Sequence, residues 1–193
     1  MHQLEELISD SIEDIIITKD GDISITKTVL VIIASGALLS CVAIVPKILM
    51  MLPSKYRTRT YTRRISSAVN YYKKNAFLEI HDQRLLITEK GKRKLNLIAY
   101  EKLSISRPKQ WDKKWRVVAF DIPEKKRSAR DQLRKKIREL GFCQVQHSVF
   151  VHPFICTDQI AYLRIYLGIE DYVTLFTAED IDNKDALMKR FSL

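Results

Sequence analysis

The sequence predicts an α+β protein in two parts, an N-terminal winged helix-turn-helix followed by a ferredoxin-like (βαββαβ) domain. Three observations lead there. The formal net charge of +10 over 193 residues is uneven: residues 54–116 carry +13, residues 1–53 carry −4 and residues 117–193 carry +1. Positive charge confined to one stretch points to a polyanion partner more readily than to a merely solvated surface. Ile65, Ala68, Val69 and Tyr72 recur at i, i+3, i+4 and i+7, the signature of a helix with one face on a core. From residue 115 onward, short strand patterns and helical patterns alternate in the order βαββαβ.

Composition sets the outer limits. Hydrophobic residues at 46% and charged residues at 29% are ordinary globular values and exclude a disordered chain. The three cysteines, Cys41, Cys143 and Cys156, are odd in number and form no CxxC pair, which argues against a disulfide framework or a zinc ribbon. The order Cys143, His147, His152, Cys156 invites a tetrahedral zinc site. In one continuous strand, however, residues 147 and 152 point to opposite faces, so the site is not expected. The acidic N-terminus lacks the basic region that precedes a secretory core, so a cytoplasmic protein is expected.

Taken in order, residues 1–26 form an acidic arm or helix, with Leu4, Ile8, Ile12 and Ile15 near helical spacing and a turn at Lys19 to Asp22. The winged-helix domain spans 27–103. Within it, Thr28 to Val45 runs 18 residues without a charge. Such a stretch reaches only about 27 Å as a helix, at the threshold for a membrane span. Ser35-Gly36 interrupts it and Pro46-Lys47 ends it, so two packed helices are expected and a membrane is not.

A third helix is expected from about Tyr61 to Lys74. Opposite its apolar stripe lie Arg63, Ser67, Asn70 and Lys74, side chains that hydrogen-bond base edges or phosphates. Arg57, Arg59, Arg64 and Lys73 flank them, which makes this the expected recognition helix for double-stranded DNA. Phe77 to Ile80 and Leu85 to Thr88 then alternate as strands around a polar turn at His81 to Arg84, placing Arg84 at the tip of a wing. Thr88 caps a following helix in which Leu95 and Ile98 face inward.

Residues 104–114 carry Pro108 and no periodicity, and read as a linker. The second domain covers 115–193. Its elements are a strand at 115–121, a helix at 128–140 closed by Gly141, strands at 142–146 and 148–153, a helix at 158–167, a strand at 172–177, and a C-terminal tail. Arg130 and Arg134 share one face of the first helix, from which they can reach DNA phosphates.

The residues now carry a resemblance. "LLITEKGKRKL" (85–95) resembles the wing and exit helix of many bacterial winged-helix regulators. "VVAFDIPEKKRSARDQLRKKIRELGFCQVQHSVFV" (117–151) resembles the start of the CRISPR Cas-two family: an apolar strand ending in aromatic-Asp-Ile, a basic helix, Gly-aromatic, then a Val-Gln-x-Ser-Val-Phe strand. "WDKKWRVVAFDIPE", "LRKKIRELGF" and "VFVHPF" are similar to the central domain of PaaX-type transcriptional repressors, in which a winged helix precedes the same fold. The combined layout resembles a PaaX-like regulator over residues 27–193.

That resemblance implies a homodimer joined through the ferredoxin-like domains, with two winged helices set for half-sites of a pseudo-palindrome. For the Cas-two family it also implies divalent-metal binding at the acidic residue closing the first strand, here Asp121. One carboxylate per subunit holds a hydrated Mg²⁺ but builds no two-metal site alone. The expected function is therefore sequence-specific transcriptional regulation, as a repressor, with no cofactor required. The alternative is a Mg-dependent endonuclease with Asp121 catalytic, acting on RNA or DNA, or an adaptor for a CRISPR integrase. A small-molecule effector is compatible with the first reading, though no motif names one.

Overall fold

The computed structural model describes residues 24–34, 44–52 and 54–193. Residues 1–23 of the arm expected at 1–26, the Ser35-Gly36 interruption, Cys41 and Pro53 lie outside the described residues. The chain is an α+β protein with two antiparallel sheets, and divides into compact units on either side of Lys102 and Leu103. No helix among the described residues is long and apolar enough to cross a membrane.

In the first unit, α1 (Ile25–Ala34) is apolar around most of its circumference. Ile25 and every residue from Thr28 to Ile33 are buried, as a helix at the centre of a core must be. Its amphipathic neighbours surround it: α1 packs against α3, the hairpin strand β2 and α4. Helix α2 (Ile44–Met51) takes Pro46 in its first turn, where the missing N–H has no intrahelical acceptor to lose. Ile48 and Leu52 anchor its apolar side.

Helix α3 (Arg59–Lys74) starts two residues earlier than the periodicity suggests, because Thr58 adopts an extended conformation and its hydroxyl accepts from the Tyr61 N–H. The buried set is Ile65, Ala68, Val69 and Tyr72, the stripe expected from spacing. The Tyr72 hydroxyl donates to the Thr26 carbonyl at 2.9 Å, which ties α3 to α1, and burial beside Tyr71 pushes its pKa up to about 12.

Strands β1 (Leu78–His81) and β2 (Arg84–Ile87) pair antiparallel through a two-residue turn in which Asp82 and Gln83 both have positive φ. That backbone suits the right-handed twist of a tight hairpin. Helix α4 (Glu89–Lys102) is capped as the sequence indicates, the Thr88 hydroxyl accepting from the Gly91 N–H at 3.1 Å. The same hydroxyl donates to the Ala76 carbonyl at 2.7 Å and so clamps the end of α3 to the start of α4. A Cβ on Gly91 would meet the Phe77 carbonyl oxygen at 2.2 Å, so only glycine admits this approach.

The second unit builds a sheet in the order β4 (Cys143–Gln146), β5 (Val149–His152), β3 (Trp115–Phe120), β6 (Val173–Ala178). All neighbours are antiparallel, and β3, first in sequence, lies in the interior. The crossover helices are α5 (Arg127–Glu139) and α6 (Thr157–Leu167), which pack on each other and bury Leu133, Ile137, Ile160 and Leu163. Gly141 follows α5 at φ +90, the left-handed closure expected there.

Two stretches differ from expectation. The C-terminal tail contains a helix, α7 (Lys184–Phe191), whose Leu187 is buried with Trp115, Val117 and Val151, with Met188 and Phe191 packed alongside. Within the expected linker, Trp111 stacks edge-on to Trp115 and its indole N–H reaches the Pro153 carbonyl at 2.9 Å. Asp112 binds the buried Arg116 guanidinium at 2.7 and 2.5 Å, which holds the Asp112 carboxyl below its usual range. Residues 111–114 thus pack as part of the second unit, because a large indole and a buried arginine both require partners.

Candidate nucleic-acid interface

The solvent face of α3 is set by its buried one. With Ile65, Ala68, Val69 and Tyr72 held in the core, Arg59, Arg63, Ser67, Asn70 and Lys74 project from the far side of the helix, with Arg64, Tyr71 and Lys73 beside them, and all are exposed. The helix holds five basic residues and no acidic one. No carboxylate among the described residues pairs with any of these cations. The Arg64 guanidinium lies 5.3 Å from the centre of the Tyr61 ring, a cation–π contact that orients it without neutralising it. A convex helix with amide, hydroxyl and guanidinium groups in one row and phosphate-seeking cations at its borders fits the width of a DNA major groove.

Arg57 is placed otherwise. Its Nη2 donates to the Met50 carbonyl at 2.9 Å and its Nε to the Leu52 carbonyl at 3.3 Å, so it closes the open end of α2 and fixes the turn into α3. Arg84 is exposed at the end of the hairpin, opposite His81, which pairs with Asp82 at 3.0 Å. Among the described residues no carboxylate pairs with Arg84, so the hairpin offers a cation near its tip.

The basic helix of the second unit is arranged differently. Arg130 donates to Glu124 Oε2 at 2.8 Å and to the Ile122 carbonyl at 3.3 Å. Glu124 is thereby held in its charged form, its pKa below the usual range because of Arg130. Arg127 lies between Glu124 and Asp131 at 3.6 and 3.8 Å, and Arg134 contacts His147 Nδ1 at 3.1 Å. Arg127, Arg130, Asp131, Arg134 and His147 border a cavity of about 460 Å³ that Asp121 also lines. The sequence reading missed Asp131 and weighed His147 only as a zinc ligand. Asp131 stands four residues after Arg127, a helical pairing that spacing can flag, whereas His147 arrives only through the strand turn.

Asp121 is exposed, and its backbone N–H donates to the Tyr172 carbonyl at 3.0 Å, as suits a residue closing a strand. A hard divalent cation seeks several oxygen ligands. Around Asp121, Arg127, Arg130 and Arg134 oppose a cation, and Glu124 is taken by Arg130. Within one chain this donor set does not suit Mg²⁺. Nor do the residues of the zinc idea gather. His152 is buried and accepts at Nδ1 from the Phe154 N–H, His147 lies in the β4–β5 turn, and burial raises the Cys156 thiol to about 12. Among the described residues, no three His, Cys, Asp or Glu side chains form a metal cluster.

Residues 108–188 match the family model described as the PaaX protein central Cas2-like domain. The match covers most of the second unit and none of the first. No curated protein matches the chain.

Proposed function

From the premise that the chain is PaaX-like with a Cas2-like central domain, we propose that it is a sequence-specific DNA-binding transcriptional regulator acting as a homodimer in the cytoplasm. The first unit is then a winged helix-turn-helix, with α3 as recognition helix and the β1–β2 hairpin as wing. The second is a ferredoxin-like dimerisation domain. One observation carries the reading: the exposed face of α3 is basic and polar, lacks any acidic residue, and has cations without carboxylate partners among the described residues. Arg63, Ser67 and Asn70 read base edges. Arg59, Arg64, Lys73, Lys74 and Arg84 hold phosphates, supplying sequence-independent, salt-sensitive affinity.

In the second unit, β6 is an edge strand and carries Phe176, 47% exposed, opposite Val117 in the register. A large aromatic left open on a sheet edge suits contact with a second copy. A two-fold dimer sets its recognition helices on half-sites about 34 Å apart, one helical turn of DNA. Selection of bound duplexes from a random pool tests the assignment. The expected result is an enriched pseudo-palindrome whose binding is lost in Arg63→Ala; no enrichment, or binding indifferent to that substitution, refutes it.

A second reading, a metal-dependent endonuclease, has one observation in its favour: Asp121 and Asp131 line the same cavity. The three arginines there weigh against a cation. Equal nuclease activity of wild type and Asp121→Ala in Mg²⁺ or Mn²⁺ eliminates it.

A further inference from the structure

The exposed face of α3 has its electrostatic complement in the chain's own N-terminal sequence. Residues 1–22 carry seven acidic side chains against one lysine. Glu6, Asp10, Glu13 and Asp14 recur at i, i+4, i+7 and i+8, whereas Leu4, Ile8, Ile12 and Ile15 recur at i, i+4, i+8 and i+11. At about 100° per residue, the carboxylates gather on one side and the apolar residues on the other. Helix α3 has the opposite charge pattern: five basic residues, no acidic one, and no carboxylate partner among the described residues.

The point of attachment brings the two within reach. The Ser24 carbonyl accepts from both the N–H and the hydroxyl of Thr28 at 2.9 Å, which fixes the start of α1. Two residues on, the Thr26 carbonyl accepts from the Tyr72 hydroxyl of α3. Ser24 and Lys27 border the same cleft as Arg63, Arg64, Ser67 and Tyr71, so the preceding residues join the first unit at the flank of the basic face. Helix α3, with 16 residues, is about 24 Å long, and 22 residues reach about 33 Å when helical and further when extended. In the second unit, by contrast, Arg127 and Arg130 are already paired with Glu124.

We propose that the acidic segment at residues 1–22 docks on the exposed basic face of α3 in its own chain and covers it until duplex DNA displaces it. Carboxylates set along one side offer arginine and lysine the charge-assisted hydrogen bonds that phosphates offer. Single exposed ion pairs are weak, but a short tether holds the segment at an effective concentration on the order of 1 mM. An intrinsic dissociation constant of about 0.1 mM then keeps the face about nine-tenths covered and lowers duplex affinity about tenfold. The displacement rests on α3 being the recognition helix, whereas the docking does not.

Two measurements on the full chain test this. A carbodiimide joins a carboxylate to a lysine amine only where the two touch, and mass spectrometry locates the link. Equal amounts of isotopically heavy and light chain, mixed beforehand, distinguish links within a chain from links between chains. The expected result is a link within one chain from Glu6, Asp10, Glu13 or Asp14 to Lys74, suppressed by duplex and by about 0.5 M salt. No such link, or a link between chains only, overturns the docking.

Fluorescence anisotropy on a labelled duplex at low salt then compares wild type with the combined variant Glu6→Gln, Asp10→Asn, Glu13→Gln and Asp14→Asn. The control removes as many charges from exposed positions of the second unit, with Glu170→Gln, Asp171→Asn, Glu179→Gln and Asp182→Asn. The first variant is expected to bind duplex about tenfold more tightly than wild type, and the control less than about threefold. Equal tightening in both shows that net charge alone acts and overturns the displacement, as does a link that duplex fails to suppress. If the link forms as expected while no duplex binds at all, the DNA reading falls and the docking stands.

Discussion

Helices α3 and α5 look alike in sequence and differ in what their charges are free to do. Helix α3 has five basic residues, no acidic one, and cations without carboxylate partners among the described residues. Helix α5 has six basic residues with Asp131 and Glu139 among them, and its arginines are occupied: Arg127 by Glu124 and Asp131, Arg130 by Glu124, Arg134 by His147, Arg138 by Gln144. Even Lys136, 4% exposed, pairs with Glu139 at 3.3 Å. A basic helix is therefore a candidate for DNA only when its charges lack internal partners, because a phosphate must otherwise displace a carboxylate that is already in place.

The largest expected effect separates these two helices. On the duplex enriched by selection, Arg63→Ala and Asn70→Ala each cost about 1–3 kcal/mol of binding and relax base preference at the position read. Lys74→Ala weakens all sequences alike and lowers the salt slope by about one. Arg130→Ala and Arg134→Ala cost less than about 0.5 kcal/mol, since each removes a cation already shared with a partner. Fluorescence anisotropy with the labelled duplex measures all five. If the α5 substitutions prove the costlier, the comparison inverts and the second unit becomes the DNA surface.

Stability separates the units next. Gly91→Ala places a methyl group against the Phe77 carbonyl, where backbone cannot yield cheaply, and is expected to destabilise the first unit by about 2–3 kcal/mol. Both tryptophans, Trp111 and Trp115, lie in the second unit, so their fluorescence reports that unit alone while far-ultraviolet circular dichroism reports both. In urea, Gly91→Ala should lower the midpoint of the dichroism change and leave the fluorescence midpoint in place. Joint movement of the two would show that the units unfold as one.

What could be read from sequence follows a physical divide. The α3 stripe was legible because amphipathic periodicity is local: Ile65, Ala68, Val69 and Tyr72 declare their shared face within eight residues. The order of strands and helices in the second unit was legible for the same reason. Helix α7 was not, since Leu187 is held by Trp115, Val117 and Val151 from strands far earlier in the chain. The commitment of Arg57 to the end of α2 escaped too. A sequence displays charge but not the partner that uses it up.

Acid is expected to destabilise the second unit through His152. His152 is buried against Phe142, Phe154 and Phe191, and burial, with the nearby Arg116 charge, lowers its pKa below the ordinary value; the Phe154 carbonyl pulls the other way and is outweighed. A histidine with a depressed folded pKa contributes stability that is fully present above its unfolded value of about 6.5. That contribution is lost as pH falls toward the folded pKa, by at most about 1.4 kcal/mol per pH unit. The fluorescence midpoint in urea should therefore fall between pH 7.5 and 5.5, and His152→Asn, which keeps an acceptor for the Phe154 N–H, should flatten the dependence.

The smallest effect concerns how each unit makes its left-handed corners. After α5 and α6 the second unit places Gly141 at φ +90 and Gly168 at φ +63, where glycine has no Cβ to strain. After α3 the first unit places Ala76 at φ 56. The corner is fixed by its hydrogen bonds: the Phe77 N–H donates to the Tyr72 carbonyl at 2.9 Å and the Ala76 carbonyl accepts from the Thr88 hydroxyl. Alanine in this conformation costs about 1–2 kcal/mol, and glycine returns part of that as added chain entropy in the unfolded state. Ala76→Gly is thus expected to stabilise the first unit by about 0.5–1 kcal/mol, raising the dichroism midpoint and leaving tryptophan fluorescence unmoved. Gly168→Ala, in a corner with open space around the added Cβ, should lower the fluorescence midpoint by a similar amount through backbone strain alone. Opposite signs from matched substitutions would show that the corner after α3 keeps a residue that works against its own backbone, at the point where α3 is clamped to the start of α4.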